Sequence, residues 1–415
     1  MDKPNSERKK PGPKPKPPVQ EKDIAGLKYF QLIRDLLEPL HTHADCHNRN
    51  LHYDQFAGLI LLYLLNPVLT SQRSIQNASG LRNVQKALGG KRASLGSLSE
   101  ASRVFDPDLL HHVVQELAGR AEAFDAHPRP DALAKELDVL AVDSTLLRAL
   151  PRMLWALWLG KEHRAAKMHL AFDILRGIPR DATVTDGNGN EKKVMRDWLA
   201  ADKLYVLDSG YAQYALLEEI RKAGSSFVMR LHDNAAYQVE EERELSEADR
   251  QAGVLFDRIV GLGAKAGQKE LSHPFRLVKV HLKSPPQRGL ARRPSRVSRK
   301  KTFRHRPQDY DLLLVTDLMD LPAEEISLLY RYRWTIELFF RWFKCVLRFE
   351  HLIFESHNGL CIQVYCALIV SLLITLWTGR KPTKRTLEMI QLYFQGWAEL
   401  DELEAHFQSL KKIET

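Results

Sequence analysis

Cysteine is scarce in this chain: Cys46, Cys345, Cys361 and Cys366 are all that 415 residues contain. Four thiols at these spacings make no disulfide framework. The first residues are basic and proline-rich and have no apolar stretch of the kind a secretory leader carries. Both features give the expectation of a reducing, cytoplasmic setting. Long apolar runs are missing as well. The longest, from Cys361 to Trp377, is interrupted by Gln363, Ser371 and Thr375 and falls short of the ~20 residues that a membrane span needs. A buried helix is expected there, and no membrane partner. His41, His43, Cys46, His47 and His52 crowd together but lack the second pair of ligands that a structural zinc site shows. They read as a polar loop.

Charge is present in excess, and unevenly. The formal net charge is +9. Residues 1–20 hold six basic residues against two acids, and residues 288–306 hold nine basic residues and no acid. The rest of the chain is therefore net acidic. A polyanion would be drawn to defined regions, not to the whole surface. The tail, residues 1–22, is expected to be disordered. Its lysines would add nonspecific phosphate contacts or serve only as a solubilising leader. The run containing Arg292, Arg293, Arg296, Arg299, Lys300 and Lys301 reads as a DNA-contacting loop, with a solvated linker as the alternative.

Residues 23–130 read as helical. Leu27, Phe30, Ile33 and Leu37 recur at helical spacing, Phe56–Leu65 is an apolar helix closed before Pro67, and Asp106-Pro107 breaks a later helical stretch. An all-helical N-terminal DNA-binding domain is expected, although no helix-turn-helix signature assigns a recognition helix. After Leu137 the pattern becomes α/β. Leu137–Val142 is an apolar run that delivers Asp143 at its end, and Leu204–Leu207 likewise ends on Asp208. Lys167–Leu175, Asp181–Thr185 and Phe227–Leu231 read as further strands, and Tyr211–Ala223 as a helix. The expected partition is 131–231 for the first part of the core and 232–308 for a β-rich basic insertion. Residues 309–380 complete the core, and 381–415 form a C-terminal helical region.

Ala323–Phe349 reads as one helix. At about 100° per residue, Tyr330, Arg333, Glu337 and Lys344 fall within roughly 60° of each other on an otherwise apolar element. The bland reading is a solvated polar stripe. The sharper one joins Glu337 to Asp143 and Asp208. Strand ends in an α/β sheet are where ligands bind, and three carboxylates make an oxygen-rich site suited to Mg²⁺ or Mn²⁺. Such a site holds two ions about 4 Å apart for in-line phosphoryl displacement.

The spacing Y-x2-R-x3-E-x6-K, with Val-Asp-Ser-Thr at Asp143 and Leu-Asp-Ser-Gly-Tyr at Asp208, resembles the DDE transposases of insertion-sequence family four. The resemblance covers roughly Leu137–Trp377. It implies an RNase H-like catalytic core with a β-rich insertion, and a metal-binding triad of Asp143, Asp208 and Glu337. Two Mg²⁺ or Mn²⁺ ions would serve cleavage of an element end and 3′-hydroxyl strand transfer through a hairpin. Tyr330, Arg333, Arg341 and Lys344 would contact DNA. Trp334 is a candidate base platform, although its size favours the core. Lys167, His169 and Asp173 match a K-x-H-x3-D pattern that would support the metal site or merely alternate across a strand. Ser209 departs from the basic residue common after the second aspartate. Double-stranded DNA, a synaptic homodimer and a nucleoid-associated bacterial setting follow from the resemblance. The rival readings are another RNase H-fold nuclease and a non-catalytic DNA-binding derivative.

Overall fold

The computed structural model describes residues 37, 40, 51–121, 127–133, 137–159, 163–263, 273–282, 309–347, 349 and 352–411. The basic runs at residues 1–20 and 288–306, and His41 to His47, lie outside these. The chain divides into two compact units, residues Met1–Val113 with Ile362–Thr415, and residues Val114–Cys361.

In the first unit the described residues form helices. α1 (Tyr53–Leu65) is apolar all round and almost wholly buried, the pattern of a central helix. It ends at Asn66, directly before Pro67. α2 (Gln72–Ser79), α3 (Arg82–Leu88) and α4 (Leu95–Val104) pack around it. Ser71 and Ser94 cap α2 and α4 by accepting from Ser74 N and Ser97 N, and Gly89 closes α3 at φ +68°, where a side chain would be strained. Tyr53 stacks on Phe105 with ring centroids 4.5 Å apart. α5 (Asp108–Arg120) follows. The apolar helix His357–Thr378 has the length and composition of a membrane span, yet 94% of its most apolar stretch is buried inside the protein.

The second unit is built on one large sheet. Its strands are β1 (Asp138–Arg148), β2 (Leu157–Trp158), β3 (His163–Asp173), β4 (Ile178–Asp186), β5 (Lys203–Leu207), β6 (Ser226–Leu231), β7 (Tyr237–Arg243), β8 (Val254–Leu262), β9 (Phe275–Leu282) and β10 (Tyr310–Thr316). The order is β2-β3-β1-β5-β6-β10-β9-β8-β7, with β4 also paired to β3. β1, β3 and β4 are antiparallel neighbours, whereas β5 and β6 run parallel to β1. β10 then pairs antiparallel with β6, and β9, β8 and β7 add to it in turn. The described strands of the expected insertion therefore lengthen the central sheet.

α6 (Glu191–Asp197) and α7 (Tyr214–Lys222) contribute Met195, Leu216, Leu217 and Ile220 to an apolar core with Leu140, Val142, Tyr205, Leu207 and Met229 of the sheet. Alternation turns the neighbouring residues, Ala141, Asp143 and Val206, to the opposite face. That face carries the signature segment. α8 (Glu247–Gln251) precedes it in sequence, and its Asp249 carboxylate accepts the Glu324 N–H at 2.9 Å, capping α9 (Ala323–Tyr332). α10 (Trp334–Arg341) continues after a turn at Arg333, and Trp342–Val346 form a wider π turn. The single helix expected over Ala323–Phe349 is thus segmented.

Candidate active site

β1 does not stop at Asp143, as its apolar run suggested, but continues to Arg148 because β3 pairs with it throughout. Its parallel neighbour β5 does stop, with Val142 opposite Leu207. Asp143 and Asp208 are the next residues on these two strands, side by side where β5 ends and the sheet opens. Each carboxylate accepts the following backbone N–H, from Ser144 and Ser209, at 2.7 Å. Phe172 of β3 packs on Phe339 of α10 at 5.0 Å between centroids, which holds the helix against this face.

The helix delivers Tyr330, Arg333 and Glu337 to the two aspartates. Arg333 is 8% exposed. Its Nη2 donates to Glu337 Oε1 at 2.9 Å and its Nη1 makes a long contact of 3.5 Å to Asp143 Oδ2. Its Nε is buried with no hydrogen-bond partner. Tyr330 donates to Asp208 Oδ1 at 3.4 Å, and the Arg333 guanidinium lies 5.5 Å from the centre of the Tyr330 ring. Burial pushes the Asp143 carboxyl up to about 6, and the charges of Glu337 and Asp208 push the same way, against the Ser144 N–H and Arg333. Burial also raises the Tyr330 phenol to about 12. Burial disfavours the Arg333 cation, but Tyr330, Asp208, Asp143 and Glu337 outweigh it and raise its pKa. Crowded carboxylates served by one buried guanidinium form a site short of positive charge.

The other expected residues distribute unevenly. Lys167 and His169 pair with Leu146 and Ser144 across β1 and β3, so they face away from Asp143. Lys167 Nζ donates to Gly189 O at 3.0 Å and Glu191 Oε1 at 3.3 Å, and Ser144 Oγ donates to the same Glu191 oxygen at 2.5 Å. His169 pairs with Thr185 Oγ1 at 3.0 Å, and burial, with Lys167 next, depresses its imidazole to about 4. Asp173 accepts from Leu175 N, Arg176 N and Arg176 Nη1 at 3.1, 2.9 and 2.8 Å, which ties down the turn to β4. Arg341 is exposed, and Lys344 is half-buried in the π turn. Trp334 is 54% exposed, which corrects its expected place in the core. With Arg333 turned to the acids, the next residue points about 100° away, toward solvent. Arg292, Arg293, Arg296, Arg299, Lys300 and Lys301 lie outside the described residues.

Two groups here went unassigned in the sequence. Arg230, on β6, adds its charge to the field at Tyr330. Tyr211 is 2% exposed, and its hydroxyl is buried without a partner, an arrangement that costs on the order of 1–3 kcal/mol. Its place in Leu-Asp-Ser-Gly-Tyr was the available signal.

Residues 134–373 match the transposase DDE domain family. The chain belongs to this family. The DDE domain therefore takes in both strand-end aspartates and the signature helix. The chain is 26% identical over 212 residues to one named as a transposase in Sinorhizobium fredii, covering 51% of this chain and 53% of that one. The matched region thus spans about half of that relative's length. It is 20% identical over 352 residues to one named as a transposase for insertion sequence element IS4SA in Synechocystis, covering 83% and 87%. The second name agrees with insertion-sequence family four. Among solved structures, the piggyBac transposase synaptic complex with hairpin DNA is similar at a TM-score of 0.38 and 11% identity, over 94% of this chain and 85% of that one.

Among the described residues, no three His, Cys, Asp or Glu side chains close on one point as a metal cluster. The donors fit a divalent cation by their chemistry. All are carboxylate oxygens, the ligands hard ions take, and at Asp143 the charges of Glu337 and Asp208 add to the rise that burial chiefly causes.

Proposed function

We propose that the protein is a DNA transposase that binds insertion-sequence ends, cleaves them, and joins the 3′-hydroxyl to target DNA through a hairpin intermediate. The reading is supported above all by one arrangement: carboxylates from two strands and a helix gathered around a buried arginine, in a chain of the DDE family. The strand order β4-β3-β1-β5-β6, antiparallel on one side of β1 and parallel on the other, agrees with an RNase H-like core.

Asp143, Asp208 and Glu337 would hold the ions, two Mg²⁺ or Mn²⁺. Bound there, these would lower the pKa of the attacking water and offset charge on the scissile phosphate. Arg333 has unused donor capacity and turns from the carboxylates to a phosphate when DNA enters. The fork of its guanidinium suits two phosphate oxygens. Tyr330 exchanges Asp208 for the DNA backbone, and Lys344 and Arg341 extend the contact along the strand. Trp334, with its ring in solvent next to Arg333, offers a surface on which an unpaired base stacks at the hairpin. The run from Arg292 to Lys301 tracks phosphates, and a homodimer brings two ends together.

The test is cleavage of labelled element-end DNA with Mg²⁺ or Mn²⁺, resolved on a denaturing gel, with Glu337→Gln beside it. Hairpin and joined products that disappear in Glu337→Gln support the transposase. Cleavage without joined product indicates a nuclease, and binding without cleavage indicates a DNA-binding protein.

A further inference from the structure

Asp143 sits where β1 loses a neighbour. Up to Val142 the strand is flanked by β3 and β5, and from Asp143 onward it continues on β3 alone. The Asp143 carboxylate accepts the Ser144 N–H at 2.7 Å, whereas its contact to Arg333 is long, at 3.5 Å. Whatever fixes the Ser144 backbone therefore fixes the acid. Strand alternation turns the Ser144 side chain to the opposite face, where its Oγ donates to Glu191 Oε1 at 2.5 Å.

Glu191 is itself firmly held at the start of α6. Lys167 Nζ reaches its Oε1 at 3.3 Å and also donates to Gly189 O at 3.0 Å, in the loop before the helix. Gly189 passes so close to Thr185 that a side chain there would clash. Burial opposes the Glu191 charge, but Ser144 and Lys167 outweigh it and keep the carboxyl below its usual range. The helix needs none of this. Asn190 already caps it by accepting from Lys192 N and Lys193 N at 3.0 and 3.2 Å, and Val194 and Met195 bury its apolar side. We infer that Glu191 is a positioning residue for Asp143: through the Ser144 hydroxyl it braces β1 where β5 has ended, and so holds the Ser144 N–H and the Asp143 carboxylate in the orientation that binds metal. When Arg333 leaves for DNA phosphate, this brace is what still orients the acid. The inference rests on the transposase reading. Glu191 acts through Ser144 from the other face of the sheet and touches neither DNA nor the reacting atoms.

Ser144→Ala removes the hydroxyl and keeps the N–H, and Glu191→Ala removes its acceptor. The two variants and their double, made in the full chain, are compared by Mn²⁺ binding in electron paramagnetic resonance with end DNA present, by single-turnover cleavage and by thermal unfolding in metal-free buffer. Each single variant should bind Mn²⁺ about tenfold more weakly and cleave about tenfold more slowly, with DNA affinity unchanged. The double should be no worse than either single, because both cut the same link. Ser144→Ala carries the test alone should Glu191→Ala not fold. Wild-type Mn²⁺ affinity in the single variants would overturn the inference and leave the transposase intact, and a lowered Tm beside it would make the brace purely structural. Losses that multiply in the double would also overturn it, since the two residues would then act separately. A wild-type protein that binds DNA but neither binds Mn²⁺ nor cleaves would overturn both readings.

Discussion

Among the described residues of the second unit two arginines are buried, and they are partnered very differently. Arg276, on β9, is 2% exposed. Its Nε and Nη2 meet the two oxygens of Asp257 at 2.9 and 2.7 Å, and its Nη1 donates to the carbonyls of Leu318, Met319 and Leu321. Arg333, similarly buried, divides its donors between Glu337 at 2.9 Å and Asp143 at 3.5 Å and leaves Nε unpaired. A guanidinium with every direction answered holds the backbone after β10 in place and has nothing left to offer a ligand. One with donors unspent, beside acids that repel each other, is poised to change partners. The same contrast runs along β1. At its start, Asp138 meets Lys203, Arg176 and Arg180, and its pKa falls to about 2 because these cations overcome burial. Five residues on, Asp143 rises to about 6. Thus one strand carries an aspartate that supports the fold and another that strains it.

The largest effect should come from Arg276→Ala. It leaves Asp257 buried and uncompensated, and should cost about 3–5 kcal/mol in urea unfolding. Lysine tests the contrast more finely. Arg333→Lys should slow end cleavage about 100-fold while Tm moves by no more than about 2 °C, because the charge stays and the fork is lost. Arg276→Lys should do the reverse, lowering Tm with little change in the cleavage rate of the folded fraction. If Arg333→Lys proved the more destabilising of the two, the division between structural and functional arginine would fail.

Asp143→Asn should abolish cleavage yet stabilise the metal-free protein at pH 7, by up to about 3 kcal/mol. The folded carboxyl titrates near 6 and the unfolded one near 3.8, so between these values the folded state binds the extra proton. Wild-type stability should therefore rise as pH falls from 7 toward 4, and Asp143→Asn should remove that rise. Asp138 works in the opposite sense. Its stabilisation is present above about 3.8 and is lost as pH falls through 2. Asp138→Asn should give the smallest effect, about 1 kcal/mol near neutrality after solvent screening, vanishing in strong acid. Denaturant midpoints across pH would show both slopes.

Much of the site was legible because its signals are local. Tyr330, Arg333 and Glu337 are brought together by local turn geometry, while Lys344 lies beyond them in the π turn, and a continuous apolar run announces a central strand before Asp143. Other features depend on partners remote in sequence. β1 continues past Asp143 because β3 pairs with it, and no residue of β1 announces that. The K-x-H-x3-D triplet alternates as strand residues do, but which face Lys167 shares is settled by its register opposite Leu146. Trp334 is apolar and large, and the turn at Arg333 still leaves it in solvent. Tyr211 reads as an ordinary core aromatic until its hydroxyl is found without a partner.

By itself, then, the sequence determined the element types, the candidate acids and the helix that bears Tyr330, Arg333 and Glu337, because turn geometry and hydrophobic period act over a few residues. Only the tertiary structure decided which face of the sheet each acid occupies, that β5 ends beside Asp143, and that Arg276 is fully partnered while Arg333 is not. These depend on strand register and on burial among residues distant in the chain, where a shift of one position reverses every side chain.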